Sequence, residues 1–280
     1  ENISIKRAGL YFAIILVVPL FIIGYHISAM RVLVISDIHA NLAALHAVLK
    51  RARGEYDTVF CLGDLVGYGP HPNECVELLS GCCSLVLAGN HDLAVGGVIE
   101  YADFSSHARN AVQWTCARIS GKNKAYLAAL PPRINRGDMV FSHGGPENPV
   151  WSYILSTIDA DFSFQIEPFR LCAFGHTHIP SAFVQAKKTN KANELCQVVY
   201  GIPDLAIETN EAGLRLMINP GSVGFPRDAA DAHSSSQLDH AAARYALFNM
   251  KTGLWVFKRV EYSMKATAEE MYREGLWQRS

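Results

Sequence analysis

A chain of 280 residues can form one large α/β domain or two small ones, and with half its residues hydrophobic it can bury a sizeable core. Its 25 Lys and Arg balance 26 Asp and Glu, so composition gives no general electrostatic attraction to nucleic acid or to an anionic membrane surface. The seven cysteines (Cys61, Cys75, Cys82, Cys83, Cys116, Cys172 and Cys196) are odd in number and show no C-x-x-C spacing. They read as free thiols in a reducing compartment, not as a disulfide or zinc framework.

Residues 1–29 stand apart. Ala8 to Met30 carries no charge, is strongly apolar and follows Lys6-Arg7. The stretch is long enough to span a bilayer. Its flanking charge, with small residues at Ser28-Ala29, also suits a cleaved signal sequence. A third reading makes it an extraneous extension, because Met30 directly precedes a buried strand and leaves no linker for a membrane helix. The expected organisation is an apolar extension over 1–29 and one domain over 30–280.

Short continuous apolar runs, the signature of buried strands, then recur. Val32-Leu33-Val34-Ile35-Ser36 ends in Asp37-Ile38-His39. A helix over Asn41 to Arg53 follows, with Leu42, Leu45, Val48 and Leu49 on one face and Asn41 as its cap. His46 on it reads as a surface or packing residue. Val59-Phe60-Cys61-Leu62-Gly63 ends in Asp64, and Pro72 to Ser80 reads as a second helix. Leu85-Val86-Leu87-Ala88-Gly89 ends in Asn90-His91-Asp92. Tyr101 to Ile119 and Lys122 to Leu130 read as two helices closed by Pro131-Pro132. This insertion could overhang the ligand-bearing edge, and its His107, Arg109, Asn110 and Trp114 are either packing residues or substrate contacts.

Met139-Val140-Phe141-Ser142 ends in His143, and Cys172-Ala173-Phe174-Gly175 ends in His176-Thr177-His178. Ala182 to Leu216 reads as antiparallel strands turning at Asn190, Gly201 and Asn210 to Gly213. Ala229 to Ala243 reads as a mobile polar loop with solvated His233 and His240. Tyr245 to Glu261 alternates as a hairpin turning near Thr252-Gly253, and Thr267 to Trp277 reads as a C-terminal helix. The strand–helix–strand order is that of a layered α/β domain. Ligands in such domains bind at the carboxyl ends of strands. One edge of one sheet would therefore collect two Asp, one Asn and four His, enough for two metal ions.

The order Asp-x-His, Gly-Asp, Gly-Asn-His-Asp, His and Gly-His-Thr-His resembles the calcineurin-like metallophosphoesterase superfamily, over about Met30 to Ser280. Ser36 to Leu42, Gly63 to Pro70, and Asn219-Pro220-Gly221-Ser222-Val223-Gly224 followed by Pro226-Arg227-Asp228 resemble its small bacterial phosphodiesterase-like branch. Members of the family commonly begin near the position of Met30. The resemblance implies a four-layer α/β/β/α sandwich of two mixed sheets. It implies one metal held by Asp37, His39, Asp64 and His178, and a second by Asp64, Asn90, His143 and His176, with Asp64 bridging. Two such ions clamp a phosphate and generate a hydroxide that attacks it. Mixed oxygen and nitrogen donors without thiolate suit Mn, Fe, Zn or Ni better than Ca or Mg, with Mn preferred here. His91 takes the role of general acid, giving the leaving alkoxide its proton near pH 7.

Two departures bear on substrate. Ser/Thr protein phosphatases of the superfamily carry Gly-Asp-x-Val-Asp-Arg-Gly, whereas this chain reads Gly63-Asp64-Leu65-Val66-Gly67-Tyr68-Gly69. Tyr68 stands where those enzymes place a phosphate-binding Arg, and Gly67 where they place the Asp that orients the acid. The expectation is a phosphodiesterase acting on a diester or small nucleotide, with Tyr68 and Arg227 binding substrate. Arg227 would restore the guanidinium, unless it only pairs with Asp228. Asn219 to Ser222 makes a turn near the metals or supports the His176-Thr177-His178 loop. The alternatives are a phosphomonoesterase or phosphoprotein phosphatase, a nuclease, and a scaffold such as the retromer subunit that shares the fold. The expected partner is a small phosphorylated or nucleotide substrate, with no stable nucleic-acid binding. The expected location is cytoplasmic, or membrane-anchored if residues 1–29 form an anchor.

Overall fold

A computed structural model of the protein describes residues 30–186, 196–226 and 241–277. The first half runs β1 (Arg31–Ile35), α1 (Leu42–Arg51), β2 (Thr58–Cys61), α2 (Pro72–Cys82), β3 (Cys83–Val86), α3 (Asn90–Gly96), α4 (Ser106–Cys116) and α5 (Gly121–Ala129). It continues with β4 (Arg133–Arg136), β5 (Met139–Ser142), α6 (Thr157–Ile166), β6 (Leu171–Ala173), β7 (Ser181–Ala186), β8 (Gln197–Tyr200), β9 (Ala206–Glu208) and β10 (Leu214–Asn219). A hairpin of β11 (Ala241–Asn249) and β12 (Leu254–Tyr262) and helix α7 (Lys265–Arg273) complete the described chain.

Alternation along β1 sets the layering, because successive strand residues face opposite sides. Val32 and Val34 join Phe60, Phe141, Ile218 and Trp255 in a core between two six-stranded sheets. Leu33 and Ile35 point the other way, into a core shared with Leu45 and Val48 of α1, Val76 and Leu79 of α2, and Met271 of α7. On the far side, Val140, Phe174, Phe183 and Met217 pack against Ala160 and Phe164 of α6. These three cores separate four layers in α/β/β/α order. One sheet has the order β3-β2-β1-β11-β12-β9 and the other β4-β5-β6-β10-β7-β8. Both are mixed: β1, β2 and β3 are parallel, as are β5, β6 and β10, while the remaining pairings are antiparallel.

Local sequence explains the elements that aim the site. Asn41 Oδ1 accepts from Ala44 N at 3.1 Å and caps α1, and Lys50 and Arg51 close the helix where its dipole favours cations. Pro72 opens α2, where its missing N–H costs nothing. The helical insertion is present but tighter than expected: Ser105 caps α4 and Ser120 caps α5, leaving Tyr101 to Phe104 outside.

The sequence reading needs five corrections. The ligand-bearing ends come from both sheets, not one, since β1, β2 and β3 lie in the first and β5 and β6 in the second. Asn90 and His91 open helix α3 and are not at a strand end, because β3 stops at Val86. Strand β9 leaves the antiparallel run and pairs with β12 in the first sheet. Helix α6 was not anticipated, since its apolar Ile158, Phe162 and Ile166 are solvent-exposed and blur the amphipathic pattern. Ala241 to Ala243, read as loop, begin β11. The rest of that loop and the turn at Asn190 lie outside the described residues. All seven cysteines are free.

Phe60 and Phe141 meet edge to face across the two sheets, ring centres 5.3 Å apart and planes at 88°. Both are fully buried. Phe60→Ala is expected to lower unfolding free energy by about 3–5 kcal/mol, read from urea denaturation; a loss under 1 kcal/mol would mean the inter-sheet core collapses around the gap.

Candidate metal centre

The loops after β1, β2, β5 and β6 and the start of α3 converge at one edge of the sandwich. Asp37, His39, Asp64 and His178 present ligand atoms that all lie within 4.8 Å of one another, as do Asp64, His143 and His176. Asp64 is common to both groups. Its Oδ2 lies 3.7 Å from His39 Nε2 and 3.5 Å from His143 Nε2, while its Oδ1 accepts from His91 N at 3.0 Å. Asp37 Oδ1 faces His178 Nε2 at 3.3 Å, and both its oxygens accept from His176 N at 3.2 Å. Every one of these side chains is buried, Asp37 and His143 completely.

Backbone carbonyls fix which ring nitrogens are bare. Nδ1 of His39 donates to Val66 O at 3.1 Å, Nδ1 of His178 to Phe225 O at 2.6 Å, and Nδ1 of His143 to Leu62 O at 2.9 Å. In a neutral ring such a bond leaves Nε2 as a lone-pair acceptor, which His143, held protonated by Asp64, becomes only where a cation replaces its proton. His39 Nε2 and His178 Nε2 then face each other at 3.1 Å, two acceptors with no proton between them. His176 Nε2 and Asn90 Oδ1 are buried with no hydrogen-bond partner. Converging bare acceptors, held by second-layer carbonyls, fit a divalent cation and fit nothing else so well.

Electrostatics point the same way. Burial opposes ionisation of Asp37 and Asp64, yet positive charge on the facing His178 and His143 outweighs it and holds both below the usual carboxylate range, a pull that a bound cation would supply in its place. Burial pushes His39 well down, and takes His91 to about 4 and His176 to about 3, against the pull of Asp64. His143 is the exception: burial disfavours its charge, but Asp64 raises it to about 9.

The backbone is bent to make this cluster. Asp37, His39, Asp64, His176 and His178 all have φ between 48° and 66°, a left-handed conformation uncommon outside glycine. Gly89 is required by close approach, because a Cβ there would lie 2.0 Å from Asp64 Oδ1. Asp92, in the motif but given no role by sequence, clamps two of the loops. Its carboxylate accepts from Leu65 N, Val66 N and Gly89 N at 2.9–3.1 Å. Burial and the Asp64 charge nonetheless push it up to about 7. Asn219 supports the Gly-His-Thr-His loop, its Nδ2 donating to Gly175 O and Thr177 Oγ1 at 2.7 and 3.1 Å. Ser222 Oγ donates to Asp37 O at 2.8 Å.

Tyr68 is brought to the cluster, its ring 4.7 Å from His39 and 4.8 Å from His91, with φ 58°. Gly67 does more than omit a carboxylate: a Cβ there would lie 2.3 Å from His91 Nδ1, so the acid candidate occupies the space a side chain would need. Arg227 lies outside the described residues. Of the insertion residues, His107 reaches the Tyr68 ring at 5.1 Å, whereas Arg109 bonds Phe104 O and Trp114 lies under Arg118. His46 is exposed on α1, away from the cluster. Sequence reasoning missed three aromatic neighbours: Phe104 at 5.2 Å from His91, Trp151 against Phe104, and Tyr153 at 3.9 Å from His176. No local pattern marks them, because only the tertiary fold brings their loops to this edge. Among the described residues no helix is long and apolar enough to cross a membrane, and of the Ala8 to Met30 stretch only Met30 is among them.

Residues 30–180 match the model of a family described as calcineurin-like phosphoesterase. An uncharacterized protein of Methanocaldococcus jannaschii is 34% identical over 250 residues, which is 87% of this chain and 92% of that protein. A metallophosphoesterase from Sphaerobacter thermophilus is 37% identical with a TM-score of 0.73, covering 89% of this chain and 96% of that one. A hypothetical protein from Pyrococcus horikoshii OT3 shares the fold at 20% identity and a TM-score of 0.65, over 89% and 94% of the two chains.

The buried imidazoles make a stability prediction for the metal-stripped protein. His39, His91 and His176 stay neutral in the fold to well below 6.5 but gain protons near 6.5 when unfolded. The unfolded state then binds more protons, so stability falls as pH falls below about 6.5, by at most about 1.4 kcal/mol per group per pH unit. Two groups oppose this: Asp92, raised to about 7, gains its proton in the fold first over the same range, and His143 adds stability that is lost as pH rises from about 6.5 through about 9, but three imidazoles outweigh them below about 6.5. The urea midpoint is expected to drop between pH 7 and pH 5.5, and an unchanged or higher midpoint would contradict the burial assigned to these rings.

Proposed function

The chain belongs to the calcineurin-like phosphoesterase family and is a phosphoester hydrolase, and from that premise we propose that it hydrolyses a phosphodiester or small nucleotide at a centre of two divalent ions. The reading rests on one observation: Asp64 Oδ2 lies within 3.7 Å of an imidazole from each ligand group. A carboxylate so placed could serve two cations. Asp37, His39, Asp64 and His178 would hold one, and Asp64, Asn90, His143 and His176 the other. Mixed oxygen and nitrogen donors without thiolate suit Mn, Fe, Zn or Ni, and Mn is the ion this reading assigns. When bound, such ions supply Lewis-acid polarisation of the phosphoryl group and a hydroxide nucleophile at neutral pH.

The chain's own residues do the rest. His91 is buried, its Nδ1 has no partner, and its ring lies 5.1 Å from His39. It is the group that hands a proton to the leaving oxygen. Burial keeps it neutral in the empty site, and an anionic phosphate arriving beside it favours the imidazolium. Tyr68, buried against His39 and His91, offers no positive charge where a doubly charged monoester would need one. That favours the singly charged diester, with Arg227 as the cation that binds it. The free thiols suit a cytoplasmic enzyme.

Full-length protein, stripped of metal and given Mn²⁺, is expected to cleave bis-p-nitrophenyl phosphate with a higher kcat/KM than p-nitrophenyl phosphate. The reverse preference would make it a phosphomonoesterase. Asp64→Asn is expected to abolish metal-supported turnover of both. His91→Ala is expected to keep its metal while kcat on esters with poor leaving groups falls about 10²- to 10⁴-fold. The p-nitrophenyl esters, whose leaving group needs no proton, lose far less. Metal lost from the His91 variant would refute a role as acid alone.

A further inference from the structure

Phe225 joins the candidate metal centre to a cleft that the chemistry above leaves unused. Its carbonyl oxygen holds His178, and its ring centre lies 6.0 Å from that of His178 and 6.3 Å from that of His39. The same ring stacks on Tyr68 at 4.8 Å with planes 18° apart. Beyond it opens a cleft of about 530 Å³, walled by His107 and Asn110 of α4 and by Leu276 and Trp277 after α7. That volume lies within the range of small-ligand sites.

The lining is specific in kind. Phe225 and Trp277 are aromatic, and Asn110 carries a donor and an acceptor side by side. His107 Nε2 donates to Leu276 O at 3.3 Å, which leaves Nδ1 an acceptor in the neutral ring. Among the described residues no Lys or Arg lines the cleft. Aromatic faces with a few polar groups suit a heteroaromatic ring, which stacks on its faces and pairs along its edge. We propose that this cleft holds the nucleobase of a nucleotide whose phosphate sits at the metal centre. The proposal rests on the hydrolase reading above and narrows its substrate class to esters that carry a base.

The test is calorimetric binding of AMP and of ribose 5-phosphate to the Mn²⁺-loaded full chain, which needs no turnover. Wild type is expected to bind AMP about tenfold or more tightly than ribose 5-phosphate, the worth of one base–aromatic stack. Asn110→Ala and Trp277→Ala, each checked for folding by thermal melt, are made separately, and loss of the gap in either folded variant supports the cleft. A wild type without the gap, or a gap kept in both variants, overturns it. Hydrolysis of methyl p-nitrophenyl phosphate, which carries no base, is measured beside it. Failure to cleave that ester sinks the diesterase reading alone, and the AMP gap still decides the cleft.

Discussion

Lone pairs that face one another in a dry space need a cation, and the edge of this sandwich is built around that need. Two carboxylates and four imidazoles are packed where water cannot screen them. The rings of His143, His39 and His178 are oriented by carbonyls of Leu62, Val66 and Phe225, the first two on the loop after β2 and the third on the loop after β10. Removing any of those carbonyls would free a ring to turn and donate a proton inward. The ligand set is therefore a property of the loops' backbone paths, and those paths depend on the two sheets holding their strand ends at a fixed separation.

That separation is set by the central core. Phe60 against Phe141 keeps the strand that ends in Asp64 beside the strand that ends in His143. Trp255, Phe248 and Phe257 fill the same layer from the hairpin. Each left-handed ligand residue costs about 1–3 kcal/mol of backbone strain. The strain is tolerated because the surrounding packing over-determines it, and because a cation that binds only the folded arrangement adds its own stabilisation. Asp92 does similar work with hydrogen bonds alone, tying the Leu65–Val66 turn to Gly89.

The ligand-bearing strands were legible because each is a short apolar run ending in a polar residue of ligand type, and strand ends are where α/β sheets place ligands. Helix α1 was legible from its periodic Leu and Val face and its Asn41 cap. The split of those strands between two sheets was not, since an apolar run does not say which neighbour it pairs with. The bridging position of Asp64 came from resemblance, and the left-handed φ values had no local signal, because Asp and His carry none of glycine's bias. Strand β9 is three residues long and half exposed, so nothing in its sequence announces the sheet it joins. Helix α6 was hidden by apolar residues on its solvent side, where a pattern-based reading expects polar ones.

The departures at Gly67 and Tyr68 read differently once the fold is known. As sequence they look like two losses, a missing orienting carboxylate and a missing cation. In the fold they are one substitution of shape for charge. Without a Cβ at Gly67, His91 moves against the backbone, and the ring of Tyr68 closes over it and over His39. A carboxylate at position 67 would clash with the imidazole and, by opposite charge, keep it protonated. Its absence leaves burial in control of His91. An aromatic Tyr68 stacked on Phe225 also extends the wall toward α4. Tyr68 and Phe225 thus form one aromatic surface running from the metal centre toward α4.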